Sequence, residues 1–256
     1  EELIGRKTST LRSGRHDAAF YEALWDSIRR TGKWEGEIWD QRKHGDLIPL
    51  WTTINAVRDE HGAVTHYVSA MSDISERKLQ EEEIRTIAFY DPLTALPNRR
   101  LLLERLQRAL TLTRRNGLHG ALLFVDVDNF KKINDEHGHH AGDLLLQEIA
   151  ARLGRVVRES DTVARQGGDE FVIVLEHLNA DPDLARTEAR QIAAKALLAM
   201  AKPCDLEGLI YQSSASIGVA MFNATEISMD LLMRQADEAM YQAKHAGKNT
   251  VHLYGE

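Results

Sequence analysis

Cysteine is nearly absent. Cys204 is the only one in 256 residues, which excludes an intrachain disulfide and leaves burial and hydrogen bonding to hold the fold, as is usual in a reducing compartment. Long apolar runs are missing as well: nothing reaches the roughly 18 consecutive apolar residues of a membrane-spanning helix. Glu1 to Thr10 lack the basic start and apolar centre of a signal peptide. A soluble, cytoplasmic segment is expected. Excess positive charge is also lacking: 32 Lys and Arg against 39 Asp and Glu leave a net charge of −7, so no global field favours nucleic acid or an anionic membrane. Repeats and low-complexity tracts are absent. With 43% hydrophobic and 28% charged residues the composition excludes disorder, and the length suits two globular domains. Because the chain opens on Glu1 rather than Met, residues upstream are expected, with room there for a membrane anchor.

What is present falls into three blocks. Up to about Ser72, a helical pattern over Ala18 to Ile28 precedes three strand-like runs, Glu35 to Arg42, Ile48 to Arg58 and Val64 to Met71. Turn signals at His44-Gly45-Asp46 and Asp59-Glu60-His61-Gly62 make them an antiparallel meander. Alternation sets Trp34, Gly36 and Ile38 on one face, and Trp51, Thr53, Asn55 and Val57 together on another. Trp34, Trp39 and Trp51 read as core or sheet packing, and His16, one histidine in a polar stretch, as a surface residue rather than a haem ligand. From Asp73 to Ala88 the chain turns highly charged, with Ile74, Leu79, Ile84 and Ile87 as a narrow apolar stripe. This is an exposed helix that either pairs with its copy from a second chain or serves as a solvated spacer.

Beyond Asp91-Pro92, helical patterns (Arg99 to Arg115, Ala141 to Val157, Ala185 to Met200, Met229 to Ala246) alternate with strand patterns (Ala121 to Asp126, Thr162 to Arg165, Glu170 to Leu175, Tyr211 to Met221). A sheet covered by helices follows, with Gly167-Gly168 as a two-residue hairpin turn.

The chemistry gathers on this third block. The apolar strand from Ala121 ends in Asp126-Val127-Asp128, two carboxylates where a buried strand meets solvent. Such a pair repels itself unless a divalent cation neutralises it; hard Mg²⁺ takes one or two carboxylates and leaves positions for phosphates. Asp-x-Asp alone equally fits a helix N-cap beside a solvated Asp. Asp169-Glu170 adds carboxylates at the hairpin, and Gly-Gly lets a phosphate approach backbone N–H groups. His137, His139 and His140 are spaced onto different sides of a helix and have no cysteine near them, against a zinc site.

These residues stand in runs that resemble the GGDEF family of diguanylate cyclases. Arg165-Gln-Gly-Gly-Asp-Glu-Phe171 matches the signature that names the family. Asp91 to Arg100 resembles its opening segment, and Asp126 to Asp135 its metal strand with the helix that follows. Gly138 to Asp143, Ser216 to Ala220 and Ala236 to Lys244 also match, in order and at family spacing. The likeness covers about Ile84 to Tyr254 and implies a central mixed sheet surrounded by helices over residues 91–256, in a palm-like nucleotidyl-cyclase fold of the α+β type. The activity implied is condensation of two GTP into cyclic di-GMP, with Mg²⁺ or Mn²⁺ as cofactor. Departures are few: Ala95 stands for a usual Gly, and Lys248 where Arg is common.

By position, the resemblance implies that Asp126, the carbonyl of Val127 and Asp169 bind the metal, with Asp128 and Glu170 completing the acidic cluster. Asp169 would also act as base on a 3′-hydroxyl. Lys131 would stabilise charge on the phosphates, and Asn134 and Asp143 would read the guanine edge. His139 falls next to the nucleotide. Lys244 and Lys248 fall on phosphate-contacting positions, although a lysine near a helix C-terminus also favours the dipole. Arg158-Glu-Ser-Asp161 matches the family's inhibitory product site, Arg158 gripping cyclic di-GMP and Asp161 a guanine; without the resemblance it reads as a surface ion pair.

The first block resembles the later part of a PAS sensor domain through Gly32 to Trp39, Val57 to Gly62 and Ser72 to Ser75, with the opening strands absent. The expected organisation is a partial PAS domain over 1–74, a helical coiled-coil linker over 75–90 and the cyclase domain over 91–256. One GTP per protomer implies a homodimer. The rival expectation is a noncatalytic receptor for GTP or cyclic di-GMP; retention of Asp126, Asp169 and Glu170 favours the enzyme. Such domains are often followed by a phosphodiesterase domain, so one is an open expectation beyond Glu256.

Overall fold

The computed structural model describes residues 4–223 and 227–256. Two compact units divide the chain, Glu1–Arg85 and Thr86–Glu256.

In the first unit, a 3₁₀ turn (Thr8–Leu11) and helix α1 (Ala18–Thr31) precede strands β1 (Lys33–Gln41), β2 (Leu47–Arg58) and β3 (Val64–Asp73). The strands form the antiparallel meander expected, in the order β1-β2-β3. Helix α1 starts where the Asp17 carboxylate accepts the Phe20 N–H and stops at Gly32, whose φ of 78° an L side chain resists. Among the described residues its core cluster is Leu24, Ile28 and Ile38, with Trp25, Trp34, Ile54 and Ala56 packed against them.

The alternation along β2 has the opposite sense to the one expected for Trp51. Thr52, Ile54 and Ala56 face α1, and Trp51 lies outward at 47% exposure, opposite Glu37 on β1 and Ser72 on β3. A period of two fixes all side chains of a strand at once, so the small core under α1 decides the face for the whole strand. Trp39 likewise points away from the core: its indole N–H donates to Glu37, and the Arg15 guanidinium stacks over its ring.

Helix α2 (Ser75–Phe89) carries the boundary between the units, and Leu79, Ile84 and Ile87 stand 67–71% exposed along it. Among the described residues no helix is long and apolar enough to cross a membrane.

The second unit continues with α3 (Arg99–Asn116), β4 (His119–Val127), α4 (Phe130–Val156), β5 (Thr162–Gly167), β6 (Glu170–Leu178) and α5 (Pro182–Met200). Then follow β7 (Cys204–Leu206), β8 (Leu209–Tyr211), β9 (Ala215–Phe222), α6 (Met229–His245) and β10 (Thr250–Leu253). Five strands form one mixed sheet, β10-β9-β4-β6-β5, in which only β10 and β9 run parallel. β4 is central and shows why it must be: Ala121, Leu123, Val125 and Val127 join the core against α4 and α5, while Leu122 and Phe124 join the core on the α3 and α6 face. A strand apolar on both faces belongs between two helical layers.

Three features differ from the expectation. The long strand over Tyr211 to Met221 is two strands, because Gln212 to Ser214 leave the ladder between β8 and β9. β7 and β8 form a small separate hairpin turned at Glu207-Gly208, where Gly208 has φ of 95°. β10 was not foreseen: four residues after Asn249 are too few for a pattern to show.

Candidate active site

Three segments of chain meet at the C-terminal end of β4. Asp126 is the penultimate residue of that strand, 7% exposed, and pairs in the ladder with Glu170 on β6 and Ser216 on β9. The β5–β6 hairpin lies alongside, and the Val127 N–H donates to the Asp169 carbonyl at 3.3 Å. Sheet pairing therefore brings Asp126, Asp169 and Glu170 to one place although more than forty positions separate them in the sequence.

The hairpin turn differs by one position from the expectation. Gly167 pairs with Glu170, so the two loop residues are Gly168 and Asp169 rather than Gly167 and Gly168. Gly168 takes φ of 52° at the first loop position, which suits a two-residue hairpin that opens on Gly. The shift matters because it lifts the Asp169 side chain to the tip.

Arg165 holds this tip in place. Its guanidinium donates to both Asp91 carboxylate oxygens at 2.9 and 3.1 Å, and to the Gly168 carbonyl at 3.0 and 2.8 Å. Asp91 in turn accepts the N–H and the hydroxyl of Thr94. Burial alone would raise the Asp91 carboxyl, but the hydrogen bonds from Thr94 and Arg165 outweigh it and hold it below its ordinary value. Neither residue was assigned a role from the sequence. The available signal was a lone arginine just before a glycine turn, with its partner 74 positions away.

The electrostatics of the site are those of crowded carboxylates. Burial raises the Asp126 carboxyl, and Asp169 and Asp128 add to the rise against the pull of Lys244, whose Nζ lies 2.7 Å from Asp126 Oδ2. Burial also raises Glu170, helped by Asp126, Asp169 and Asp237. Asp237, on α6, is a member of this field that the sequence reading left without a role.

Asp128 adds to this acidic field and is also tied into the fold. Its carboxylate accepts hydrogen bonds from the hydroxyls of Ser214 and Ser216 at 2.7 and 2.8 Å and from the Asn249 N–H at 3.0 Å. Both oxygens accept hydrogen bonds within the fold, so Asp128 ties β4 to β9 and to the segment before β10. Asn129 follows with φ of 58° and accepts from Lys248 Nζ at 2.7 Å. Lys248 is thus placed beside the end of β4, itself at φ of 64°.

Helix α4 is two helices joined at Gly138, which has φ of 83° and ψ of 164°. The break folds Asn134 back onto the following turn, where a Cβ on Gly142 would overlap Asn134 Oδ1. Asn134 Oδ1 is buried and has no hydrogen-bond partner, an expensive condition for an amide unless something donates to it. Asp143 follows Gly142 directly and is exposed, as are His139 and Lys131. His140 meets Glu207 of the β7–β8 hairpin at 3.2 Å.

Arg158 and Asp161 lie in the turn from α4 to β5. Asp161 is 8% exposed and accepts the N–H groups of Arg158 and Glu176 at 2.9 and 3.1 Å. It shapes the turn, leaving the Arg158 guanidinium exposed at its edge.

Among the described residues no group of three or more His, Cys, Asp or Glu side chains is arranged to hold a metal ion unaided. The donor chemistry nevertheless fits a hard divalent cation. Asp126 and Asp169 supply carboxylates and Val127 a main-chain carbonyl, and burial, with the neighbouring carboxylates, raises Asp126 and Glu170 even though Lys244 lies beside Asp126. Mg²⁺ takes few protein ligands and completes its shell with water and phosphate oxygens.

Comparison with known proteins agrees with this geometry. Residues 88–250 match the model of the family described as diguanylate cyclase, GGDEF domain. The bifunctional diguanylate cyclase/cyclic di-GMP phosphodiesterase MucR of Pseudomonas aeruginosa is 42% identical over 167 residues, 65% of this chain and 24% of that protein. Diguanylate cyclase TpbB of the same organism is 39% identical over 230 residues, 89% of this chain and 49% of that one. This chain therefore spans about a quarter of MucR and half of TpbB. The solved GGDEF domain of TpbB superposes with a TM-score of 0.60 at 40% identity, covering 64% of this chain and 94% of that one. The coiled coil and GGDEF domain of DgcB from Caulobacter crescentus, solved with c-di-GMP, gives 0.62 at 26% identity, covering 70% and 93%. By its matched residues, its fold and its acidic hairpin site, this chain belongs to the GGDEF family of diguanylate cyclases.

Proposed function

We propose that this chain condenses two GTP molecules into cyclic di-GMP and two pyrophosphates. The observation that carries the reading is the buried Asp126 carboxylate, crowded by Asp169 and Asp128 and offset by Lys244. Asp126, Asp169 and the Val127 carbonyl would hold Mg²⁺ or Mn²⁺, with Glu170 keeping the cluster negative. A bound divalent cation would neutralise the triphosphate and polarise the attacked phosphorus.

The side chains do the rest. Asp169, at the hairpin tip, takes the proton from the 3′-hydroxyl of one GTP, whose oxygen then attacks the α-phosphorus of the other as pyrophosphate leaves. Exposed Gly167 and Gly168 let phosphates approach the backbone. Asn134 Oδ1, unpartnered in the fold, accepts from the guanine edge together with Asp143, and His139 lies beside the base. Lys131, Lys244 and Lys248 would offset phosphate charge.

Each protomer carries one GTP, so the reaction runs between two copies facing each other. The exposed stripe Leu79, Ile84 and Ile87 on α2 supports a paired-helix linker. The first unit, with its resemblance to part of a PAS domain, supplies input through that linker in the cytosol. Product binding at Arg158 and Asp161 would restrain the enzyme, Arg158 contributing the free charge and Asp161 the turn that presents it.

The test is conversion of GTP by the purified chain with Mg²⁺, followed chromatographically, beside Asp169→Ala. Cyclic di-GMP from the wild type alone is the expected result. Absence of product from concentrated wild-type protein that still binds cyclic di-GMP through Arg158 would replace the enzyme by a noncatalytic receptor.

A further inference from the structure

The first unit contains a cavity of about 170 Å³ between α1, the 3₁₀ turn and the sheet. Its apolar wall includes Leu24, Trp25, Ile54 and Met71, and Thr52, the partly buried Asp40 and the exposed Arg12 also line it. Thr52 is 2% exposed, and its hydroxyl is buried with no hydrogen-bond partner. Arg12 stacks over the Tyr21 ring at 3.9 Å but forms no ion pair among the described residues, and neither does Asp40. Arg12 and Asp40 are held side by side by a backbone bridge.

A buried hydroxyl left unpaired is unfavourable, so a group that persists in that state beside a cavity points to something that enters and bonds it. Size narrows the choice. A cavity of about 150 Å³ accepts one benzene molecule, so this one holds four to six carbons and excludes a flavin, a haem or a nucleotide. Charge narrows it again. An anion alone would meet Asp40, and a cation alone would meet Arg12, so the complementary ligand bears both charges.

We propose that this cavity binds a small aliphatic α-amino acid, its side chain among Leu24, Trp25, Ile54 and Met71, its carboxylate on Arg12, its ammonium on Asp40, and the Thr52 hydroxyl bonding the head group. This gives the input unit of the proposed cyclase a ligand class, yet the binding stands apart from catalysis and is measured without GTP.

The experiment is calorimetric titration of the full chain with L-leucine, with isovalerate and isobutylamine as single-charge controls, in wild type, Arg12→Gln, Asp40→Asn and Thr52→Val. Leucine is expected to bind, roughly tenfold more weakly in Arg12→Gln and in Asp40→Asn, the loss of one charge-assisted bond. Each control should bind more weakly than leucine by a similar factor. Thr52→Val replaces the hydroxyl by a methyl of the same shape; it should weaken leucine several-fold while raising the melting temperature of the ligand-free unit. The proposal is overturned by absence of leucine binding in the wild type, by either single-charge control binding as tightly as leucine, or by unchanged leucine affinity in Arg12→Gln and Asp40→Asn.

Discussion

β3 and β4 are strands of nearly equal length with opposite fates. All ten residues of β3 are exposed, whereas eight of the nine in β4 are buried. The contrast extends to the units that contain them. The core cluster of the first, among its described residues, is Leu24, Ile28 and Ile38, while the second has a sheet packed on both faces, with Leu102, Leu106, Leu122, Ile149, Leu153 and Phe171 all essentially without exposure. Stability from burial grows with apolar area removed from water, so the second unit is the durable platform and the first is the part that opens at low cost. An acidic site needs the former, because crowded carboxylates are tolerated only where packing fixes them.

The sharpest break between the units should appear in urea. All four tryptophans, Trp25, Trp34, Trp39 and Trp51, lie in the first unit, while most helix lies in the second. Fluorescence should report a transition at lower urea than far-UV circular dichroism; coincident curves would mean that one cooperative core spans both.

Gly218→Ala comes next. A Cβ at Gly218 would run into backbone atoms of Ala236, Ala239 and Met240, so α6 must move off β9. The later, circular-dichroism transition should lose about 3 kcal/mol, with the tryptophan transition unmoved.

Acid sharpens the contrast further. Burial and neighbouring carboxylates raise Asp126 and Glu170 above 3.8 and 4.5, so the folded unit holds these protons more tightly than the unfolded chain. Their ionisation therefore costs stability. The cost is absent below those values, where both states are protonated, and is fully present above the raised ones. Adding Mg²⁺ should stabilise the second unit increasingly as pH rises through that window, as thermal melts at a series of pH values would record. A shift independent of pH would remove the carboxylates from cation binding.

The smallest effect belongs to Ala95. It takes φ of 57°, where an L side chain is strained by roughly 1–2 kcal/mol, and part of that returns as unfolded-state entropy on changing to glycine. Ala95→Gly should raise the second transition by about 0.5–1 kcal/mol.

The strain at Ala95 also shows how far a sequence can be read. Its departure from a usual glycine was visible, but its cost became visible only with φ. Much was legible in the same way. The apolar run of β4 marked a buried strand, the Gly-rich run marked the hairpin, and the matched motifs marked Asp126, Asp169, Asn134 and Asp143 as site residues. The turn was misplaced by one residue, because two adjacent glycines make either position permissible and ladder pairing alone chooses between them.

Local pattern determined most of the helices and strands and the meander of the first unit, since periodicity and turn chemistry act over a few residues, and the matched motifs carried the resemblance of the second unit to its family. Tertiary structure decided what required distant partners. It spent Asp128 on Ser214, Ser216 and Asn249, joined Arg165 to Asp91, turned Trp51 outward and left Thr52 and Asn134 unpaired. The reason is common to all of these. A carboxylate or an amide in a sequence has its full hydrogen-bonding capacity, and only the folded chain determines which part of that capacity remains for a ligand.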